Sequence, residues 1–240
     1  MTPPAIAFED VAVCYESPGP GVLEGVSLVV GHRERVALVG RNGSGKTTLL
    51  KAAVGLVPHR GLIHVGGRRL DRHSLGEIRR QVGFLFNVPE DQLLFPTVEE
   101  DVAFSLLRRG MPASEALIRA REVLADLGVA SLAEAPVHHL SHGEKQRVAL
   151  AGVLVTGPEL LLLDEPSASL DPVGRRSLAL LLGRLDTAIL LATHDLEFAR
   201  TVCSRFLVLD GGRVCLDTED PGRVARWWAE RMPADHRGPI

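Results

Sequence analysis

The stretch that decides the fold is Leu140–Pro172, which reads LSHGEKQRVALAGVLVTGPELLLLDEPSASLDP. Its first part matches a capping box, because Ser141 is followed three residues later by Glu144, and a helix start of this kind can bind an anion. Its second part is an apolar strand that ends on two neighbouring carboxylates, Asp164 and Glu165. In an open α/β sheet, ligands bind beyond the carboxyl ends of the strands. The stretch therefore predicts an α/β fold with a ligand site at these two acids.

A glycine-rich loop lies upstream of this stretch, at Gly40–Thr47 (GRNGSGKT). It matches the pattern G-x-x-x-x-G-K-[ST] in the required context, between the predicted strand Val36–Val39 and a predicted helix that begins at Lys46. Glycines allow successive backbone N–H groups to face one anion, and the helix N-terminus adds a partial positive charge. The loop therefore predicts a nucleotide site. Its nucleotide-binding candidates are Gly40, Arg41, Asn42, Gly43, Ser44, Gly45, Lys46, Thr47 and Thr48.

The chemistry of these motifs also predicts where Mg²⁺ binds and which residue acts on water. Lys46 would reach the β- and γ-phosphates, and Thr47 would place its hydroxyl on Mg²⁺. Asp164 would hold Mg²⁺, mostly through water molecules, and Glu165 would polarise an attacking water. An isolated Asp-Glu pair is more often a pair of solvated loop acids. Here the preceding apolar run and the upstream loop favour the catalytic role.

Composition excludes several classes of protein. The chain has 240 residues, enough for one sizeable domain, and its formal net charge of −3 gives no electrostatic footprint for nucleic acid. Its 3 cysteines are odd in number and spaced neither as a disulfide framework nor as a zinc site, which favours a reducing, intracellular setting. We expect neither a signal peptide nor a membrane helix, because no apolar run approaches about 20 residues.

Apolar runs separated by helical patterns indicate a parallel sheet that is covered on both faces. The predicted strands are Ala5–Phe8, Val11–Tyr15, Leu23–Val30, Val36–Val39, Ile63–Val65, Val82–Phe86, Leu160–Leu163, Ala188–Ala192 and Phe206–Leu209. Helices are predicted from Lys46, from Thr97 (a capping box with Glu100), after Pro112, and over Pro172–Leu182 and Leu196–Cys203. The helical block around 97–135 interrupts this alternation, so we interpret it as an inserted lobe.

Further motifs make the pattern specific for one family. Leu140–Glu144, the LLLLDEP run, Ser169–Asp171 and Thr193–Asp195 follow the glycine-rich loop in the order of an ATP-binding cassette (ABC) ATPase, which the chain resembles over nearly its whole length. The resemblance implies a P-loop NTPase fold with a mostly parallel core sheet, an N-terminal antiparallel β subdomain and an inserted α-helical subdomain. It implies one domain over 1–240, with a core lobe at 1–90 and 157–240 and a helical lobe at 91–156.

The resemblance also implies roles for single residues. Tyr15 is placed to stack on the adenine ring, and His194 to contact the γ-phosphate and orient the attack. Asn87 stands where the family usually has Gln as a ligand of ATP and Mg²⁺, on a stem shorter by about 1.5 Å. The family works as a head-to-tail pair in which one copy completes the ATP site of the other. The residues expected to act across that interface are Ser141, His142, Gly143, Glu144 and Asp171.

The segment 84–104 indicates the subclass. In transporters this region lines the groove that receives a helix of the membrane subunit. It carries PEDQLLF followed by TVEEDVAF, which is similar to the energy-coupling-factor importers for cobalt, nickel or vitamins, and His142 also occurs in that group. The resemblance implies an ATP- and Mg²⁺-dependent ATPase on the cytoplasmic face of the bacterial cell membrane. The implied partners are a second ABC ATPase subunit (identical or different), a transmembrane coupling subunit and a substrate-binding membrane subunit, but no nucleic acid.

Two departures from the family leave alternatives open. Asn87 puts the usual coupling to the membrane subunit in question, and Gln92 is not expected to replace it. Only the polar tail 232–240 follows the helix of Trp227 and Trp228, where many relatives carry a longer segment, and we expect one tryptophan in the core and one in a contact. The alternatives are a cassette ATPase without a transport role and a weakly hydrolysing regulatory half of a heterodimer. Glu165 and His194 are both present, which argues against the weakly hydrolysing regulatory half.

Overall fold

The computed structural model describes residues 2–15, 19, 21–168 and 170–231, so Ser169 and the tail 232–240 lie outside the described residues. Its strands are β1 Ile6–Val13, β2 Leu23–Val30, β3 Arg35–Val39, β4 Arg60–Val65, β5 Arg68–Arg69, β6 Val82–Leu85, β7 Leu160–Asp164, β8 Ala188–Thr193, β9 Arg205–Asp210 and β10 Arg213–Thr218. Its α-helices are α1 Lys46–Ala53, α2 Leu75–Gln81, α3 Val98–Leu107, α4 Ala113–Asp126, α5 His142–Leu154, α6 Pro172–Arg184, α7 Leu196–Val202 and α8 Pro221–Arg231.

The larger sheet has parallel strands at its centre, as predicted. Its order is β10-β9-β3-β8-β7-β6, in which only β10 runs antiparallel to its neighbour. Strands β7 and β8 are buried along their whole length, which is the continuous apolar pattern of strands covered on both faces. The register pairs Asp164 with Ala192, so β7 and β8 end at the same edge of the sheet.

The two faces of this sheet pack against different hydrophobic cores. Successive side chains of a strand point to opposite faces. Along β7, Leu161 and Leu163 therefore join a core with residues of α3 to α8, whereas Leu160 and Leu162 join a core with α1, α2 and the smaller sheet. The first core runs without a break from the sheet into the helices between β6 and β7. The lobe boundaries at 91–156 therefore stay a prediction.

The smaller sheet is antiparallel, with the order β2-β1-β4-β5. The prediction of two separate strands, Ala5–Phe8 and Val11–Tyr15, is wrong, because the chain forms the single strand β1. Pairing with β2 and β4 continues on both sides of an irregularity at Asp10, whose φ is 52°. A turn residue in the left-handed region thus bends the strand without ending it.

The helical block begins at the predicted capping box. The side chains of Thr97 and Glu100 each accept a hydrogen bond from the other residue's backbone, which starts α3. Helix α4 follows Pro112, and Gly128, with a φ of 69°, lies just after its end. None of the helices within the described ranges has the length and the apolar composition required of a membrane span.

Three elements are absent from the sequence-based prediction: β5, α2 and β10. They are short or lie at an edge, so they carry little of the buried apolar pattern on which the prediction depends. Helix α8 holds both tryptophans, and Trp227 and Trp228 are each half-buried against the first core. The guanidinium of Arg231 lies 4.4 Å from the ring centre of Trp227. The structure therefore does not divide the tryptophans into one core and one contact residue.

Candidate functional site

The predicted phosphate loop joins the end of β3 to the start of α1. Gly43 and Gly45 have φ angles of 82° and 105°, in the left-handed region that favours glycine. A Cβ on Gly45 would lie 2.7 Å from Cδ2 of Leu23, and a Cβ on Gly40 would lie 2.4 Å from the carbonyl oxygen of Leu209. The loop can therefore run this close to β2 and β9 only with glycine at these positions.

Two buried polar groups of the loop suit an anionic ligand. Lys46 is 6% exposed, and its Nζ donates to the carbonyl oxygens of Gly40 (2.8 Å) and Arg41 (3.2 Å). Ser44 Oγ is buried and has no hydrogen-bond partner. Buried charges and hydroxyls are costly unless they are paired. A phosphate in the loop would give the Ser44 hydroxyl a partner and would add an anion beside the Lys46 ammonium. The remaining loop candidates are exposed at the tip (Arg41, Asn42, Gly43) or lie at the start of α1 (Thr47, Thr48).

Asp164 lies at the end of β7 and faces α1. Its side chain is buried, its Oδ2 accepts a hydrogen bond from the Thr47 hydroxyl (2.8 Å), and its Oδ1 has no partner. Burial raises the pKa of Asp164, and the hydrogen bond from Thr47 opposes that rise. A divalent cation would satisfy the free oxygen and favour the ionised carboxylate. Because Mg²⁺ prefers oxygen ligands, Thr47 and Asp164 together fit a Mg²⁺ site.

Glu165 has the left-handed backbone conformation, with a φ of 49°. Its N–H donates to the carbonyl oxygen of Ala192 (2.8 Å), which fixes it against β8. Its Oε2 accepts hydrogen bonds from the Thr193 hydroxyl (2.9 Å) and from the His194 N–H (3.3 Å). Residues other than glycine seldom adopt this conformation, and such strain is found at functional sites. The turn directs the carboxylate toward the residues that follow β8.

The second carboxylate oxygen of Glu165 accepts no hydrogen bond from any described residue. Oε1 lies 3.1 Å from Nδ1 of His194 and 3.6 Å from Nζ of Lys46, but it is buried and makes no hydrogen bond. One oxygen of this carboxylate is therefore held by hydrogen bonds, and the other has, within the described part of the chain, only the ionic contacts with His194 and Lys46. Such a group can take a proton from a water molecule that reaches it. The His194 side chain is 55% exposed, so it can contact a ligand from the same side.

Two predicted nucleotide ligands lie at the margin of this cluster. Tyr15 is 58% exposed, and its hydroxyl lies 3.1 Å from that of Thr48 in α1. Asn87 is exposed after β6, and its side chain makes no hydrogen bond with any other described residue. Gln92 is held elsewhere, because its amide binds backbone groups after β6 and in α5. The Gln92 amide is therefore engaged in the fold.

The signature residues form a second cluster at the start of α5. The Ser141 hydroxyl accepts a hydrogen bond from the Glu144 N–H, and Glu144 Oε2 accepts bonds from the N–H (2.8 Å) and the hydroxyl (2.6 Å) of Ser141. These bonds lower the pKa of Glu144. Ser141 and His142 are exposed. No hydrogen bond or ion pair within the described ranges joins this cluster to Lys46 or to the rest of the phosphate loop.

Gly143 and Asp171 lie near this second cluster. A Cβ on Gly143 would lie 3.8 Å from Cδ2 of Leu170, so the loop before α6 passes close to the first turn of α5. Asp171 is exposed and caps α6 by accepting a hydrogen bond from the Gly174 N–H (2.7 Å). The residues predicted to act on a partner copy thus lie on neighbouring helix starts.

The sequence model of the family described as "ABC transporter" matches residues 23–168. The chain belongs to the ABC transporter family of ATP-binding subunits. A putative ABC transporter ATP-binding protein of Gloeobacter violaceus is 50% identical over 216 residues, which cover 88% of this chain and 88% of that protein. The energy-coupling factor transporter ATP-binding protein EcfA of Methanocaldococcus jannaschii is 40% identical over 202 residues, which cover 82% of this chain and 72% of that protein.

Solved structures of ABC ATPases agree with this fold. CbiO1 of Clostridium perfringens, part of the ABC transporter complex CbiONQ, has a TM-score of 0.82 and 33% identity, and the match covers 96% of each chain. A dimeric ATP-binding cassette in a post-hydrolysis state, bound to ADP and Pi, has a TM-score of 0.82 and 28% identity, and the match covers 89% of this chain and 97% of that one. The predicted fold and the prediction of an ABC-type ATPase are confirmed.

Sequence reasoning missed two contacts of this ABC ATPase. One is the bond of Thr193 to Glu165, because Thr193 was predicted only as part of a motif and without a contact. Thr193 ends β8 as Asp164 ends β7, and a polar residue at the end of a neighbouring buried strand is a signal that could have predicted this bond. Glu90 is the other, since its Oε1 lies 3.0 Å from Lys145 Nζ and 3.5 Å from His142 Nδ1. The Lys145 contact lowers the pKa of Glu90. Glu90 thereby joins the loop after β6 to the first turn of α5, although no pattern in the sequence pairs these residues.

Proposed function

We propose that this ABC ATPase hydrolyses ATP with Glu165 as the general base, and the free Oε1 of Glu165 is the observation that carries the proposal. This oxygen is buried between Lys46 and His194 and makes no hydrogen bond. A water molecule there would give its proton to Glu165 as it attacks the γ-phosphate. Lys46 would neutralise charge on the β- and γ-phosphates, and His194 would orient the γ-phosphate.

The remaining ligands of ATP follow from the same placement. The backbone of the phosphate loop would hold the phosphates, and the exposed ring of Tyr15 would stack on adenine. Thr47 and Asp164 would hold Mg²⁺, which neutralises charge on the phosphate oxygens when bound. The free Oδ1 of Asp164 supports this assignment. Asn87, one bond shorter than the usual Gln, would reach Mg²⁺ through a bridging water.

Phosphate release by purified protein tests the catalytic assignment. Wild-type protein is expected to hydrolyse ATP only with Mg²⁺, and Glu165→Gln is expected to bind ATP but to hydrolyse it at least about 100-fold more slowly. Glu159→Gln is the matched control, because Glu159 is exposed at the opposite end of β7. Equal rates for Glu165→Gln and wild type would overturn the assignment. ATP binding by wild-type protein without hydrolysis would favour the regulatory half of a heterodimer.

We propose that two cassettes pair head to tail, with Ser141, His142, Gly143, Glu144 and Asp171 of each facing the ATP of the other. The exposed start of α5 supports this, since a helix N-terminus favours bound anions. The dimeric structure of the similar ATP-binding cassette that is bound to ADP and Pi also supports the proposed pairing. Light scattering of Glu165→Gln is expected to show a doubled mass with ATP and the monomer mass without it. An unchanged mass would contradict pairing of identical copies.

We propose that the transporter is an energy-coupling-factor importer for cobalt, nickel or a vitamin, with the cassette on the cytoplasmic face of the membrane. Similarity to EcfA and to CbiO1 supports this subclass. A groove of about 270 Å³ suits a helix of the transmembrane coupling subunit. Its lining residues are the apolar Leu93, Leu94, Phe95, Pro96 and Val137 and the polar Glu90, His138 and Lys145. Co-purification with a transmembrane coupling subunit and a small substrate-binding membrane subunit tests the proposal.

A further inference from the structure

A chain of hydrogen bonds leads away from the catalytic carboxylate. The Thr193 hydroxyl donates to Glu165 Oε2 (2.9 Å) and accepts from the N–H of Asp195 (3.0 Å). One hydroxyl can do both at once, because it has one donor hydrogen and two acceptor lone pairs. The orientation of Glu165 is therefore tied to the backbone of Asp195, at the start of α7.

The carboxylate of Asp195 extends this chain to the next helix. Its Oδ1 accepts from the N–H of Phe198 (2.9 Å) and caps α7, and its Oδ2 accepts from Nη1 of Arg175 (2.8 Å). The Asp195 side chain is only 18% exposed, so this charge-assisted bond is partly shielded from water. Arg175 Nε in turn donates to the carbonyl oxygen of Leu170 (3.3 Å). Arg175 is thus the one described residue that bonds both to Asp195 and to the loop before α6.

We propose that Arg175 is a positioning residue that makes the orientation of Glu165 depend on the loop at Leu170 and Asp171. This inference rests on the proposed function, in which that loop meets the second cassette. When the partner fixes the loop, Arg175 holds Asp195, and Asp195 holds the Thr193 hydroxyl against Glu165. Among the described residues, the bonds of Arg175 go to Asp195 and to the loop before α6, not to the phosphate loop or to Glu165. Its loss is therefore expected to change the catalytic step and to leave nucleotide binding unchanged. Loss of an ion pair with no such role would leave kcat unchanged.

Steady-state kinetics of three variants test the proposal. Arg175→Ala is expected to lower kcat by about tenfold, with KM within about twofold of wild type. A correctly oriented general base accelerates a reaction by about 10²- to 10⁴-fold, and a misoriented Glu165 would lose part of that acceleration. Arg175→Lys keeps the charge but cannot bond both to Asp195 and to Leu170, so its kcat is expected to lie between those of wild type and Arg175→Ala. Arg176→Ala is the matched control. Arg176 is the exposed next residue of α6 and makes no hydrogen bond or ion pair with the described residues.

A wild-type kcat in Arg175→Ala, or the same loss in Arg176→Ala, would overturn the proposal. Hydrogen exchange gives a readout that does not need hydrolysis. The amide hydrogens of Asp195 and Phe198 are expected to exchange faster in Arg175→Ala than in wild type or in Arg176→Ala. If wild-type protein hydrolyses no ATP, the proposed function fails and the exchange rates alone decide this inference. Unchanged exchange at both amides in Arg175→Ala would overturn it.

Discussion

At the scale of single residues, the unsatisfied polar atoms indicate the functional site. Five buried side-chain atoms in the described part of the chain lack a hydrogen-bond partner. Three of the five lie in or beside the phosphate loop: Ser44 Oγ, Asp164 Oδ1 and Glu165 Oε1. Folded proteins leave few such atoms unpaired. We infer that these three are kept for phosphate, Mg²⁺ and water, and that they lower the stability of the nucleotide-free protein.

Asp164→Asn is expected to stabilise the nucleotide-free protein while it abolishes Mg²⁺-dependent hydrolysis. The amide oxygen still accepts the hydrogen bond from Thr47, but no charge is buried. At neutral pH we expect the melting temperature to rise by about 2–4 °C, which corresponds to about 1 kcal/mol for a domain of this size. Thermal unfolding without nucleotide measures the gain, and phosphate release measures the loss. Asp186→Asn is the control, because the Asp186 side chain is 68% exposed.

The gain from Asp164→Asn should depend on pH in a defined direction. Folding raises the pKa of Asp164 through burial, so ionisation of this group opposes folding. The wild-type protein carries no such penalty below the unfolded pKa of about 3.9, and it acquires the full penalty as the pH rises through the folded pKa. The advantage of Asp164→Asn should therefore be absent near pH 4 and complete at higher pH. An advantage that does not change with pH would contradict the burial of a charge as its cause.

The sequence predicts which residues form the site better than it predicts their contacts. The motifs pair Thr47 with Asp164, and the structure places their oxygens 2.8 Å apart. They do not predict the bond between Thr193 and Glu165, which are 28 positions apart. That bond depends on the register of β7 against β8 and on the left-handed φ of Glu165, and both are set by tertiary packing.

At the scale of secondary-structure elements, two capping boxes make a matched pair. Thr97 with Glu100 starts α3, and Ser141 with Glu144 starts α5. Both were predicted, because the capping pattern is local in sequence. Loss of a cap that only stabilises its helix lowers stability alone, whereas loss of a cap that also presents a phosphate site lowers nucleotide-dependent dimerisation as well. The two boxes allow that comparison within one protein.

Thr97→Ala and Ser141→Ala are each expected to lower the free energy of unfolding by about 1 kcal/mol, since each removes a capping hydroxyl. In the Glu165→Gln background, only Ser141→Ala is expected to weaken the ATP-driven dimer, by about tenfold in dissociation constant. The reason is that Ser141 lies at the proposed interface and Thr97 does not. Light scattering over a range of protein concentrations measures the difference. If the two variants dimerised equally well, Ser141 would only cap α5 and would have no role at the interface.

At the scale of the whole molecule, the loop after β6 connects the proposed docking groove to the proposed dimer interface. Leu94 projects from this loop into solvent with 75% exposure, and Glu90 of the same loop contacts the first turn of α5 through Lys145 and His142. The family and the parallel sheet were predictable, because their signals lie within one chain. The arrangement of copies and membrane subunits is predicted only through the family resemblance, because their contacts lie between chains.

Leu94→Glu is expected to uncouple the cassette from the membrane subunit without impairing its ATPase. Burial of a leucine contributes about 1.5–3 kcal/mol, so its loss, with a carboxylate facing an apolar helix, should weaken binding at least tenfold. The fold should tolerate the change, because the exposed side chain leaves the backbone bond from Leu94 N–H to Asp101 (2.7 Å) intact. Co-purification with the coupling subunit and phosphate release by the isolated cassette measure the two effects.

Ile118→Glu is the matched control for this variant. Ile118 is also an exposed apolar residue, at 62%, but it lies on α4 and outside the groove. A carboxylate there should leave both co-purification and hydrolysis unchanged. If Ile118→Glu also released the membrane subunit, the docking surface would extend over the whole helical block. If Leu94→Glu bound as wild type does, the groove would not be the docking surface, and Glu90 would not lie on the route from the membrane subunit to α5.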